Sequence, residues 1–165
     1  MKKAIALVII LALLLCLGAC GPDKKGDAGN TDTPSQPEQI PTDEVMTVTI
    51  TCNGKTLEMQ LADTLSATEF YNTLKKGDIT ISMREYGGFE MVGSLGFSLK
   101  REDKQTTTNV GDVVLYNGNQ IVIFYGNNSW SYTRLGRITN VTAQQLLDFF
   151  GASDADVTFS TSTQQ

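Results

Sequence analysis

The sequence predicts a mainly β protein, an antiparallel barrel with a short helix over each open end. Three observations predict this fold. Many short runs alternate apolar and polar residues, two Asn-Gly dipeptides separate pairs of such runs, and only two short segments show helical spacing. Alternation with a period of two is typical of a strand with one buried face. Short strands with two isolated helices favour a closed barrel, because closure removes the exposed edges of the sheet.

The chain has 165 residues, with 13 basic and 18 acidic side chains and no histidine. This length allows one ordinary domain with accessory segments. Without histidine there is no Ser-His-Asp or Cys-His catalytic group and no imidazole metal ligand. The acidic balance argues against nucleic acid as a partner. No Walker, dinucleotide or EF-hand motif is present, so we expect no metal and no cofactor.

Residues 1–19 have the organisation of a bacterial lipoprotein signal peptide. Lys2 and Lys3 precede an apolar run of 14 residues, 4–17, which is shorter than the roughly 20 residues of a spanning helix. The run ends in the sequence LGAC, which resembles the lipobox, whose cysteine becomes the first mature residue and carries the lipid. We therefore expect lipidation, including palmitate, at Cys20. The alternative is an ordinary signal peptide with an incidental cysteine.

Residues 20–44 are predicted to comprise the lipidated cysteine and a disordered tether, and residues 45–165 are predicted to form a single domain. The tether holds all four prolines and almost no apolar residues, whereas every aromatic residue lies beyond it. Such a composition cannot bury enough apolar surface to offset the entropy of ordering. We expect an exported protein, anchored to the membrane by lipid, whose domain faces away from the cytoplasm.

The first element of the domain is a predicted hairpin. Alternating apolar residues over 46–52 and 57–61 flank Asn53-Gly54, a dipeptide that favours the type I′ turn. Cys52 falls on the apolar face of this hairpin. It is therefore expected to be a buried structural residue, although a lone exported thiol could also be a nucleophile.

The first predicted helix begins with a capping box at Ser66–Glu69. It continues with apolar residues at helical spacing and ends near Gly77. Alternation then predicts a strand from Ile79 to Met83. Residues 89–109 are expected to form short strands and loops.

The second predicted hairpin surrounds Asn117-Gly118, and both of its arms, 113–116 and 120–125, are apolar on both faces. This pattern predicts a central position that is covered on each side. A further strand is expected at 135–138, a second helix from Thr142 to Phe150 with a capping box, and a closing strand at 157–160.

Four segments carry a resemblance to a family of small bacterial cyclophilin-like proteins. They are MVGSLG at 91–96, GDVVLY at 111–116, IVIFYG at 121–126 and SWSYTRLG at 129–136. The resemblance covers roughly residues 46–160. It implies the closed eight-stranded antiparallel cyclophilin-like barrel, and it implies no particular activity, because the small bacterial family has none established. True cyclophilins are prolyl isomerases with an outward-facing arginine, but this chain lacks their signature and their histidine.

Six residues are candidates for function. Arg84, with Tyr86 on the same outer face of its strand, could act as the catalytic arginine over an aromatic pocket, but an exposed strand arginine is more often only solvated. Tyr125, Trp130, Tyr132 and Arg134 could bind a ligand by burial and cation–π contact. Alternatively, the two aromatic residues of SWSYTR close the barrel mouth and the arginine pairs with Asp112 or Glu90. The acidic residues, including Glu85 and Glu90, are expected to be solvated charges.

The preferred interpretation is a membrane-anchored lipoprotein whose barrel binds a small molecule or peptide without catalysis. The alternative is a peptidyl-prolyl isomerase that acts on exported proteins, with Arg84 donating a hydrogen bond to the prolyl amide. A ligand receptor for an importer is disfavoured, because about 120 residues do not build two lobes.

Overall fold

The computed structural model describes residues 46–151 and 154–162. The predicted signal peptide, the predicted lipidation site Cys20 and the whole of the predicted tether lie outside the described residues. Neither helix in the described ranges combines the length and the apolar character that crossing a bilayer requires.

The described residues form nine strands and two helices. The elements are β1 Thr47–Cys52, β2 Lys55–Leu61, α1 Leu65–Leu74, β3 Ile79–Tyr86, β4 Glu90–Ser94, β5 Lys104–Thr107, β6 Asp112–Tyr116, β7 Gln120–Phe124, β8 Ser129–Ile138, α2 Ala143–Phe150 and β9 Ala155–Thr161.

Eight of these strands close into an antiparallel barrel in the order β2-β1-β9-β3-β4-β7-β6-β8. The circle is completed by β8 pairing with β2, with Met59 opposite Ile138 and Leu61 opposite Gly136. The short strand β5 lies outside the circle and pairs only with the first half of β8. The closed eight-stranded barrel is confirmed.

Both Asn-Gly turns adopt the backbone conformation that the sequence predicts. Asn53 and Gly54 have φ of 49° and 71°, and Asn117 and Gly118 have φ of 52° and 80°. Two consecutive positive φ values define the type I′ turn, which matches the twist of the flanking strands.

The barrel interior is filled by one apolar core. Alternate residues of every barrel strand point into it, and the ring of Phe70 from α1 packs edge-on against Phe159 from β9 at 5.7 Å. Cys52 is 2% exposed within this core, as predicted, and burial raises the pKa of its thiol. Gly93 is required in β4, because a Cβ there would lie 2.4 Å from Cγ2 of Ile81.

The predicted capping box of α1 is wrong, because the helix is capped two residues earlier than Ser66. Its N-cap is Thr64, whose side chain accepts a hydrogen bond from the amide of Ala67. The hydroxyl of Ser66 instead donates to the carbonyl of Lys100. The carboxylate of Glu102 accepts from the first two helical amides. A residue distant in sequence therefore satisfies N–H groups that local side chains were expected to satisfy.

Helix α2 has the predicted capping box. The Thr142 side chain accepts from the amide of Gln145, whose own side chain accepts from the amide of Thr142. The C-terminal end is held by the amide side chain of Asn53, which donates to two carbonyls of the last turn. Because Asn53 lies in the β1–β2 turn and α1 follows β2, the two helices adjoin opposite ends of β2.

Strand β8 is one continuous strand over Ser129–Ile138, longer than the strand predicted at 135–138. Its first half pairs with β5 and its second half with β6 and β2. An irregularity opposite Val113 and Val114 leaves Leu135 as an extra residue in β8. A bulge of this kind bends the strand and redirects its side chains. Trp130 and Tyr132 lie in the half of β8 that extends beyond its pairing with β6.

Candidate functional site

A second, smaller apolar cluster covers the outer face of the central hairpin. Val114 of β6 and Val122 and Phe124 of β7 point away from the barrel interior, and Tyr132 of β8 buries them together. The Tyr132 ring packs edge-on against Phe124 at 5.6 Å and against Tyr116 at 6.0 Å. The prediction that this hairpin is covered on both faces is confirmed.

A cavity of about 370 Å³ opens beside this cluster on the outer face of the barrel. Val122, Tyr132 and Glu90 are each less than a tenth exposed and form its floor, whereas Tyr86 and Trp130 are more than half exposed and form its rim. The lining residues come from β3, β4, β6, β7, β8 and the loop before β8, and they are Tyr86, Glu90, Val92, Tyr116, Gln120, Val122, Asn128, Trp130 and Tyr132.

Strand register brings these residues together. Glu90 lies directly opposite Tyr86 on one side and Phe124 on the other. Val92 lies directly opposite Val122. Directly opposed side chains in antiparallel strands have Cβ atoms about 4.5–5.5 Å apart, so the outward residues of β3, β4 and β7 form one continuous surface.

Glu90 is the unexpected residue of the site. It is 7% exposed, and its Oε2 has no hydrogen-bond partner among the described residues. Burial raises the pKa of this carboxyl to about 7, because desolvation disfavours its charged form. The expectation that Glu90 is a solvated charge is therefore wrong. The side chains that bury Glu90 come from other strands, and their convergence on Glu90 cannot be read from the amino-acid sequence.

The floor of the cavity is rigidly held. The Tyr132 hydroxyl accepts a hydrogen bond from Nδ2 of Asn128 at 3.0 Å, which fixes the far end of the ring. Burial and the nearby Glu90 carboxyl both raise the pKa of Tyr132. Trp130 lies opposite Thr106 of β5, so the short outer strand supports the rim.

Of the four residues predicted to bind a ligand, Trp130 and Tyr132 line this cavity and the other two do not. Tyr125 points into the main core, and its hydroxyl donates to Glu85 at 3.2 Å. Burial, with the nearby Glu85 carboxylate, raises the pKa of Tyr125 to about 12. Arg134 contacts Asp112 at 3.5 Å, which is the structural alternative considered for it.

Arg84 lies on the outer face of β3, as expected, directly opposite Val92 of the cavity lining. Its side chain is 82% exposed and contacts Asp154 at 3.8 Å. It is not itself among the residues that line the cavity. The structure thus places the candidate catalytic arginine beside the site rather than inside it.

Tyr86, considered beside Arg84 as part of an aromatic pocket, does line the cavity. Sequence reasoning missed Tyr116, Gln120 and Glu90 as members of the site. A signal for Tyr116 was present, because it ends an arm that is apolar on both faces. Within residues 46–151 and 154–162, no three His, Cys, Asp or Glu side chains converge as metal ligands. The arrangement is suited to enclosing a small organic group.

Comparisons with known proteins agree with this architecture. The solution structure of a hypothetical protein from Archaeoglobus fulgidus has the same fold, with a TM-score of 0.55 and 17% sequence identity. The alignment covers 72% of this chain and 95% of that one. A search of curated proteins finds no match. The sequence matches the Cyclophilin-like family over residues 50–160, and the chain therefore belongs to that family.

Proposed function

We propose that this protein is a membrane-anchored bacterial lipoprotein of the cell envelope, whose barrel binds a small molecule or a peptide segment without catalysing a reaction. The cavity beside Trp130 and Tyr132 is the site of binding. Lipid on Cys20 attaches the protein to the membrane, and the domain faces outside the cytoplasm.

The observation that supports binding is the shape and composition of the cavity. Its volume of about 370 Å³ lies within the range of roughly 300–1,000 Å³ that is usual for small-molecule sites. Its floor is buried and its rim is aromatic. Tyrosine and tryptophan supply much contact area while losing little conformational entropy, which is why they dominate binding surfaces.

Trp130 provides the assay, because it is the single tryptophan of the chain and stands at the cavity rim. The full chain, held in an uncharged maltoside detergent, is titrated with a library of small organic compounds and short peptides while tryptophan emission is recorded. We expect a subset to shift the emission saturably.

A variant that fills the cavity tests whether the ligand binds there. Val92→Trp introduces a large side chain into the lining, and Leu147→Trp introduces the same side chain on exposed α2. We expect the first to abolish binding, measured by calorimetry, and the second to leave it unchanged. Unchanged binding in both variants, or no saturable ligand at all, would contradict the proposal.

Anchoring is tested separately. Cells that express the full chain are fed a palmitate analogue that can be labelled, and the label is expected on the wild-type protein and not on Cys20→Ser. The wild-type protein is expected in the membrane fraction, whereas a variant with residues 1–19 removed is expected in the soluble fraction. Label on both the wild-type protein and Cys20→Ser would contradict lipidation at Cys20.

Prolyl isomerisation is the second candidate, because Arg84 faces outward directly opposite Val92 of the cavity lining. A guanidinium there would donate a hydrogen bond to a prolyl amide bound across β3 and β4. The measurement is exchange NMR on an Ala-Pro peptide, with wild type, Arg84→Ala and, as a control at an exposed position of β2, Lys55→Ala. Activity that only Arg84→Ala removes would replace the binding proposal by an enzymatic one.

A further inference from the structure

We infer that the cavity binds a small organic ammonium ion, whose charge is neutralised by Glu90 and whose alkyl groups contact the aromatic walls. This inference rests on the proposed binding function and names the chemical class of its ligand. It depends on three observations: the unpaired carboxyl, the aromatic lining and the lack of any basic side chain in that lining.

The unpaired carboxyl is the first step. Glu90 lines the cavity, is 93% removed from solvent by neighbouring strands, and its Oε2 has no hydrogen-bond partner among the described residues. Buried carboxyl groups in proteins are normally paired with a cation or with hydrogen-bond donors. A cationic ligand would supply the missing partner.

The walls are the second step. Four aromatic side chains line the cavity around Glu90, namely Tyr86, Tyr116, Trp130 and Tyr132. The faces of aromatic rings carry negative potential, and recognition of ammonium groups by several such rings is a common use of it. An aromatic enclosure with one carboxyl thus favours a cation over an anion or an uncharged group.

The third step is that no cationic side chain of residues 46–151 and 154–162 already takes this role. No lysine or arginine is among the lining residues. Arg84, diagonal to Glu90 in the register of β3 and β4, contacts Asp154 at 3.8 Å, and Arg134 contacts Asp112 at 3.5 Å. The negative charge of Glu90 is therefore available to a ligand.

The pH dependence of binding follows from the same carboxyl. Burial raises the pKa of Glu90 to about 7, and only the ionised form attracts a cation. Burial raises the pKa of Tyr132 and of Tyr125, so both phenols stay uncharged in this range. The charged groups on the neighbouring strand β3 are Glu85, which binds the Tyr125 hydroxyl, and Arg84, which contacts Asp154. The chain has no histidine. Affinity should therefore rise about 30-fold between pH 5.5 and pH 8.5, as the ionised fraction rises.

The experiment compares cations with uncharged molecules of the same shape. Choline is paired with 3,3-dimethyl-1-butanol, and n-butylammonium is paired with n-butanol, which separates quaternary from primary ammonium groups. Each is titrated into the full chain in maltoside detergent at pH 5.5, 7.0 and 8.5, with Trp130 emission as the readout. Both cations keep their charge throughout this range, so any pH dependence belongs to the protein.

The variants are Glu90→Gln, which keeps the shape and removes the charge, and Glu58→Gln, which removes the same charge from the exposed face of β2. We expect at least one cation to bind more tightly than its uncharged partner. That cation should lose at least tenfold in affinity in Glu90→Gln and be unaffected in Glu58→Gln. Circular dichroism establishes that each variant is folded, and the pH series on wild type tests the inference without any substitution.

Equal or tighter binding of the uncharged partners, with no effect of Glu90→Gln, would overturn the ammonium assignment and leave the binding function intact. Tighter binding at pH 5.5 than at pH 8.5 would also overturn it, because Glu90 would then act as a neutral hydrogen-bond donor. If none of the four probes binds, the assignment fails, and the wider compound library decides separately whether the cavity binds anything.

Discussion

Replacing Glu90 by glutamine should change how the stability of the domain depends on pH. The pKa of this carboxyl rises from its ordinary value of 4.5 to about 7 on folding, because burial removes water from the charged form. The folded state therefore binds more protons at this site than the unfolded state between pH 4.5 and pH 7. Its contribution to stability is fully present below pH 4.5, is lost as the pH rises to about 7, and is constant above that value.

The size of the effect follows from the interval between the two pKa values. One pH unit corresponds to about 1.36 kcal/mol, so wild type should lose about 3 kcal/mol relative to Glu90→Gln between pH 4.5 and pH 7.5. Urea denaturation of residues 43–165, followed by circular dichroism, measures the free energy of unfolding of both proteins across this range. Comparing them removes the contributions of all other titrating groups.

Glu58→Gln is the control, because it removes a carboxylate from an exposed position on β2 and is not expected to reproduce the loss. A difference between wild type and Glu90→Gln that stays flat, or that changes in favour of wild type as the pH rises, would refute the reasoning. Either result would mean that Glu90 is solvated or paired with a cationic group in the folded protein.

Three further substitutions, two of them with a matched control substitution, test the packing around the site and the barrel. Phe70→Ala should lower the free energy of unfolding by about 3–5 kcal/mol, because the ring is fully buried; Leu147→Ala, on the exposed side of α2, should change it by less than about 0.5 kcal/mol. Asp112→Ala should cost about 2 kcal/mol, because this buried carboxylate pairs with two arginines; denaturation in 1 M salt should not reproduce that loss. Asn53→Ala should lower the free energy of unfolding by about 1–2 kcal/mol more than Asn117→Ala does. Both residues hold a positive φ in their turns, but only the Asn53 amide also donates to the carbonyls that end α2. Equal losses would contradict that role.

Features that depend on neighbouring residues in sequence were predictable here. The two Asn-Gly turns, the alternation of the strands and the capping box of α2 all follow from local backbone chemistry. The start of α1 was mispredicted, because Glu102 reaches it from 37 residues away in sequence. No local pattern contains that contact.

The same distinction separates the two halves of the candidate site. Trp130 and Tyr132 could be proposed from sequence, because aromatic residues beside a polar loop are unusual enough to be noticed. Glu90 could not, because its burial depends on Phe124 and Tyr132, which approach it only after β4, β7 and β8 are assembled. A single acidic residue in a strand is more often solvated, and only the fold distinguishes the exception.

The stability and ligand experiments on Glu90 together separate a structural defect from a functional group. A buried carboxyl without a partner lowers stability, and glutamine in the same place would remove most of that penalty above pH 7. If Glu90→Gln is more stable and binds ammonium ions as well as wild type, the carboxyl is only a tolerated defect of packing. If Glu90→Gln is more stable but no longer binds ammonium ions, the wild-type protein retains an unfavourable buried charge because its ligand needs that charge. Functional sites commonly lower stability in return for activity in this way.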